Sequence, residues 1–150
     1  MHEVRGQGWT GTLSGTSCPV APAVAYGMVF AGDCSYVSAF NAPNGTPAWT
    51  FSGGAVTGVS VANHIVYACA SNAIVALNAG NGALLWTGAY CSGVPLVANG
   101  IVYGSNSFIY AFTIPSLSPG IAHAAPVVAN LRRERSLRAT RTPEQFALNR

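Results

Sequence analysis

The chain has 150 residues, half of them hydrophobic, with 17 glycines, 9 prolines and a charged fraction of only 7%. No uninterrupted apolar run reaches the roughly 18 residues of a membrane-crossing helix, so a helical transmembrane segment is excluded. All seven basic residues are arginines, and six of them, with Glu134 and Glu144, lie in residues 131–150: that stretch carries +4, residues 1–130 carry −1, and the sum is the net +3. The body therefore has no basic face, which excludes nucleic acid as its partner.

In chain order the first element is Gly8-Trp9-Thr10-Gly11-Thr12, a short strand bearing a tryptophan. Strands are then predicted at 22–25, 27–32, 36–41 and 47–51, with turns at Tyr26-Gly27 and Pro43-Asn44-Gly45. A second set follows at 59–62, 64–69, 73–78 and 84–87, turning at Asn63-His64 and Gly80-Asn81-Gly82. The third has strands at 95–98, 100–104 and 108–114 and stops at Pro115 without a fourth. Asn-Gly at such turns supplies the positive φ that tight hairpins need. Short β-rich runs between Gly and Pro breaks make the chain all-β.

These sets repeat one another. Ala39-Phe40-Asn41-Ala42-Pro43-Asn44-Gly45-Thr46-Pro47-Ala48-Trp49 returns 37 positions later as Ala76-Leu77-Asn78-Ala79-Gly80-Asn81-Gly82-Ala83-Leu84-Leu85-Trp86. A hairpin motif precedes each copy and appears a third time: residues 22–30, 59–67 and 95–103. A fixed period of this length marks a repeat architecture. The pattern Pro-x-Val-x-x-Gly-x-Val-Tyr, then x-Ala-x-Asn-x-x-x-Gly-x-x-x-Trp, resembles the repeat of PQQ-like (quinoprotein alcohol dehydrogenase-like) β-propellers across residues 8–114.

The resemblance implies a partial β-propeller of four-stranded antiparallel blades, at about 22–51, 59–87 and 95–114. Residues 8–13 are expected to close the third blade as its missing strand by pairing with 108–114. Trp9, Trp49 and Trp86, with Gly45 and Gly82, match the family's tryptophan-docking motif, and an indole suits a wedge between sheets because it buries a large area and donates its N–H. Three units cannot encircle a channel, since propellers use about four to eight blades. The expectation is therefore a piece of a longer propeller or a chain that pairs with itself, two copies giving six blades.

Cys18 and Cys91 each stand four residues before the proline that opens a hairpin, and Cys34 and Cys69 end second strands. Folding the hairpin about Tyr26-Gly27 brings position 18 opposite about 35, which favours Cys18–Cys34 and leaves Cys69–Cys91. Four cysteines allow three pairings, and free buried thiols remain the competing reading. Metal binding is disfavoured because no C-x₂-C spacing occurs. Bridged, the four would imply a periplasmic or extracellular setting. Residues 1–5 lack the apolar core of an export signal, so the chain is expected to begin inside a longer protein.

His2, His64 and His123 are dispersed, and Asp33, the only carboxylate between residues 4 and 133, is expected to solvate a loop. Asn44-Gly45-Thr46 fits a glycosylation acceptor but reads as turn chemistry. By resemblance, a quinoprotein dehydrogenase needs an Asp base, oxygen ligands to calcium, basic residues at the quinone and often adjacent cysteines. This chain has one central Asp, no adjacent cysteines, no lysine and one arginine before residue 132. The expectation is thus no catalytic, cofactor-binding or metal-binding residue, and an exported, non-catalytic binding or assembly scaffold. It would take a protein or surface polymer on its loop face, as the lipoprotein subunit of the outer-membrane β-barrel assembly machinery does within the family. The alternative is a C-terminal fragment of a PQQ-dependent dehydrogenase, with PQQ and calcium held outside this chain. Residues 115–150 read as a flexible or weakly helical basic tail.

Overall fold

The computed structural model describes residues 8–15 and 18–113; the basic tail, His2 and His123 lie outside them. Every regular element among the described residues is a strand, and no helix there is long and apolar enough to cross a membrane. β1 (Ala23–Ala25), β2 (Met28–Gly32), β3 (Tyr36–Asn41) and β4 (Pro47–Ser52) form the first antiparallel sheet, in sequence order. β5 (Val56–Ala62), β6 (Ile65–Ala70), β7 (Ala73–Asn78) and β8 (Leu84–Ala89) form the second. β9 (Leu96–Ala98), β10 (Ile101–Ser105) and β11 (Ile109–Thr113) form a third sheet of three strands. The architecture is that of three successive propeller blades.

Two-residue turns hold each meander together. Tyr26-Gly27, Asn63-His64 and Asn99-Gly100 all have φ between +51° and +75°, with Tyr26 at 53°. Positive φ at both central residues is the type I′ geometry whose twist matches the flanking strands. The β2–β3 and β6–β7 turns lie at the opposite end of each blade from these.

The core consists of two layers, one per blade boundary. Between the first and second blades lie Phe30, Val37 and Ala39 from one side and Val66, Ala68, Val75 and Leu77 from the other. Between the second and third lie Ile65, Tyr67, Cys69 and Ile74 against Val102 and Phe112. Alternate residues of β6 thus serve the two layers, and all six of its residues are buried. A central blade packed on both faces explains why Ile65–Ala70 reads as an unbroken apolar run rather than an alternating one. At Gly58 the connection into the third blade passes so close that a Cβ would come within 2.5 Å of the Val94 backbone.

Here the structure departs from one expectation. Residues 8–13 form no ladder with β11, whose only strand partner among the described residues is β10. They lie instead against the first blade, where Trp9 packs on Phe40 with ring centroids 6.4 Å apart. The ring of Trp9 is held by the blade that follows it in sequence, and that places it two blade boundaries away from β11.

Three buried hydroxyls are left over among the described residues, those of Ser38, Ser60 and Tyr67. Tyr67 is fully buried, and its hydroxyl finds no hydrogen-bond partner among the described residues. Burial pushes its pKa up to about 12. The same register position in the first blade is Phe30, opposite Ala39 as Tyr67 is opposite Ala76. Because an unpaired buried hydroxyl carries a desolvation cost, Tyr67→Phe should leave stability unchanged or raise it by about 1 kcal/mol. Urea unfolding of the two proteins reads this directly, and a loss above that amount would show that the hydroxyl is bonded.

Candidate functional site

The residues singled out by sequence gather at the two ends of the blades. At one end stand the β3–β4 and β7–β8 turns, built alike. Gly45 N–H donates to Asn41 O and Gly82 N–H to Asn78 O, both at 2.8 Å. Asn44 and Asn81 each accept from the backbone N–H two residues on, at 3.1 and 3.0 Å. The backbone N–H groups of Ala42 and Ala79 are tied to Gly27 O and His64 O, each at 2.9 Å, so their own carbonyls face the neighbouring blade.

Those carbonyls receive the tryptophans. Trp9 Nε1 donates to Ala42 O at 2.8 Å, and Trp49 Nε1 donates to Ala79 O at 2.9 Å. The rings cover Gly45 and Gly82 respectively: a Cβ on Gly82 would sit 2.6 Å from the Trp49 ring, and one on Gly45 would collide with Trp9. Both glycines also have φ near +70°. Trp86 packs edge-on against Phe112 of the third blade, centroids 5.4 Å apart. Directly before Trp49 and Trp86 the ladder slips by one residue, between Ala39/Phe40 and Ala76/Leu77. Such a bulge re-aims the side chain that follows.

The same end carries a contact that sequence reading missed. Tyr26, in the first blade's turn, stacks on His64 of the second at 3.9 Å and accepts a hydrogen bond from His64 N at 3.1 Å. His64 is thereby part of a blade-to-blade contact.

The opposite end holds the cystines. Cys18 is joined to Cys34 and Cys69 to Cys91, with Cα separations of 5.3 and 5.6 Å. The first ties the segment leading into the first blade to that blade's β2–β3 turn. The second ties the second blade to the connection into the third. Asp33 lies beside Cys34 but does not solvate a loop: it is 1% exposed. One carboxylate oxygen accepts from Ser35 N and Tyr36 N at 2.7 and 2.8 Å, the other from Gly15 N at 2.9 Å. Desolvation pushes its pKa up, yet the three backbone N–H groups together outweigh it and hold the carboxyl below its usual 3.8.

Beyond Cys91's blade boundary the same end exposes aromatic surface. Tyr90 stacks on Tyr110 at 5.3 Å, and Phe108 meets Tyr110 edge-on at 6.4 Å. Tyr110 leads inward to Phe112, also at 6.4 Å. Tyr90 and Phe108 are 58% and 60% exposed, so a ladder buried at Phe112 opens to solvent. The alternation Phe108-x-Tyr110-x-Phe112 was the available signal, since period two places these three on one sheet face. Nothing in the sequence brings Tyr90 to them.

With three repeated sheets and the docked indoles described, the likeness to known proteins can be located. The family model described as outer membrane protein assembly factor BamB matches residues 33–114, more than half of the chain. The chain belongs to the PQQ-like β-propeller family. No protein of curated function matches it in sequence. Among solved PQQ-like propellers, BamB from Moraxella catarrhalis superposes with a TM-score of 0.57 at 19% identity, covering 71% of this chain and 34% of that one. The quinohemoprotein alcohol dehydrogenases of Pseudomonas putida HK5 (ADHIIG) and Comamonas testosteroni superpose with TM-scores of 0.56 and 0.54 at 22% and 23% identity. Each covers 61% of this chain and 18% of its own. The chain therefore spans about a third of the BamB structure and under a fifth of the dehydrogenases, and the likeness is one of fold.

Two substitutions probe this construction. Trp49→Ala removes the indole, its bond to Ala79 O and much of a blade boundary, and should cost up to about 3–5 kcal/mol in urea unfolding. A loss under 1 kcal/mol would remove the indole from the account of blade packing. For Asp33, a depressed folded pKa means its stabilisation is present above the unfolded value and is lost as pH falls through the folded one. The wild type should thus lose thermal stability on acidification below about pH 4. Asp33→Asn should be less stable at pH 7 by about 1–3 kcal/mol and lack that acid-dependent loss.

Proposed function

We infer that the chain is a non-catalytic β-propeller scaffold, exported to a periplasmic or extracellular setting, that binds protein partners through its cystine-bearing end. The observation carrying this reading is the exposed aromatic cluster of Tyr90, Phe108 and Tyr110. Aromatic side chains with an apolar body and polar tip are enriched where proteins dock. Loops held on a rigid sheet scaffold are where such binding residues collect. The matching family model, described as an assembly factor, agrees with a partner of protein type. Two cystines agree with an oxidising compartment.

The second reading, a piece of a PQQ-dependent dehydrogenase, is favoured by the superposition on the two quinohemoprotein enzymes. The donor chemistry of the described residues does not fit that cofactor. Calcium needs several oxygen ligands, carboxylates among them. Asp33, the one carboxylate in residues 8–113, is enclosed and already accepts three backbone bonds. The same span contains no lysine or arginine to meet the quinone's acid groups. Under this second reading the cofactor's ligands belong to other blades.

A photo-crosslinking amino acid placed at Tyr90 or Phe108, in cells that make the protein, separates the readings. Adducts with a discrete protein at these positions and none at Leu84, which is also exposed, are expected. Equal labelling at all three sites would sink the docking surface. Saturable binding of PQQ with calcium to the protein as isolated from the cells that make it would favour the dehydrogenase reading instead.

A further inference from the structure

The tryptophans of this fold have two allegiances. By backbone, Trp49 belongs to the first blade, opposite Ala39 on β3; by its indole N–H, it belongs to the second, at Ala79 O. Trp86 repeats this, opposite Ala76 in the second blade with its ring against Phe112 of the third. Trp9 shows the second allegiance alone, since its indole N–H is bonded to Ala42 O of the first blade. The blade to which its backbone would belong is not among the described residues.

The third blade has the complementary gap. Ala39 and Ala76 stand between a central-strand aromatic (Phe30, Tyr67) and an outer-strand tryptophan. Ala111 is opposite Tyr103, the third such aromatic, and among the described residues nothing pairs with it on its outer side. The sheet face tells the same story. Val37 and Ile74, at one register position in the first two blades, are fully buried by the blade that follows; Ile109, at that position in the third, is 76% exposed. Leu96, on the same face, is 65% exposed. An apolar sheet face beside an unpaired edge is a template for another chain.

We propose that residues 8–13 of one chain complete the third blade of a second copy, pairing with its β11 so that Trp9 stands opposite Ala111. The donor keeps the indole contact it already makes on its own first blade. That first blade then lies against the partner's exposed face of Leu96, Tyr103 and Ile109, as the second blade lies against Val37 and Phe30. The contact is head-to-tail, and such contacts close into rings when the rotation allows. Two copies contribute six blades, within the usual range for a closed propeller. The occupant is a second copy because this chain itself carries a segment of fourth-strand sequence, residues 8–13, whose tryptophan ring is already docked on the first blade. Phe108 belongs both to this contact and to the aromatic cluster of the scaffold reading, whereas Tyr90 belongs only to the latter, so capture of a partner at Tyr90 and the mass of the chain in solution test the two separately.

The register makes the test specific. Ser52 opposes Tyr36 and Ala89 opposes Ala73, so Thr12 should oppose Phe108 of the partner. Chains bearing Thr12→Cys and chains bearing Phe108→Cys, mixed and oxidised, should give a covalent heterodimer on a non-reducing gel. Thr12→Cys mixed with Leu84→Cys, at an exposed site on the second blade away from the gap, should not. Light scattering on the unmodified full chain, independent of any substitution, should give the mass of two chains. A single-chain mass overturns the proposal. So does a Thr12→Cys/Phe108→Cys double variant that closes its disulfide within one chain, or a mixture that yields no more heterodimer than the Leu84→Cys control.

Discussion

An indole that reaches from one sheet to a carbonyl of the next is the contact on which this architecture turns. Sheets stacked through side chains alone would be free to slide, because apolar packing has little directional preference. The Trp49 bond to Ala79 O fixes one point of the second blade relative to the first, and the ring over Gly82 fixes the distance. The local arrangement serves that bond: the bulge before Trp49 aims the ring, the Asn78 and Asn81 bonds shape the receiving turn, and His64 O turns the Ala79 peptide toward it. Asn78 and Asn81 shape that turn without adding charge. A surface with so few charged groups is solvated largely through such amides and turns.

The fold was legible because its information is local and repeated. The 37-residue return, the Gly or Asn at the tight turns and the Trp in the fourth strands of the first two sets together specify strands and their order. The strands predicted from residue 22 onward fall within a few residues of those observed, whereas residues 8–12 form none. Less legible was anything that depends on which blade a residue touches. Residues 8–13 carry a fourth-strand signature, yet the sequence does not state whether backbone or ring decides their place; the ring docks them on the first blade. Asp33 read as a solvated loop residue because nothing in its neighbours shows that Gly15, eighteen residues earlier, folds back over it. The aromatic cluster was half visible in the alternation of β11, and Tyr90 joins it only through the path of the connection between blades.

The blade boundaries are also unequal in kind. Between the first and second blades the bonds are noncovalent: the Trp49 indole, the Tyr26–His64 stack, and the Val56 N–H to Asp33 O bond at 3.0 Å. The second blade is joined to the lead-in of the third by the Cys69–Cys91 cystine and by Thr57, which bonds to both Gly93 N and Gly93 O. Loop closure by a cystine raises the cost of local opening by restricting the opened chain. Among the described residues the second boundary is therefore the more strongly tied of the two. Partial opening under thermal fluctuation would separate the first blade from a second-and-third pair that stays together, and the first boundary sets the lowest-energy excursion of the fan.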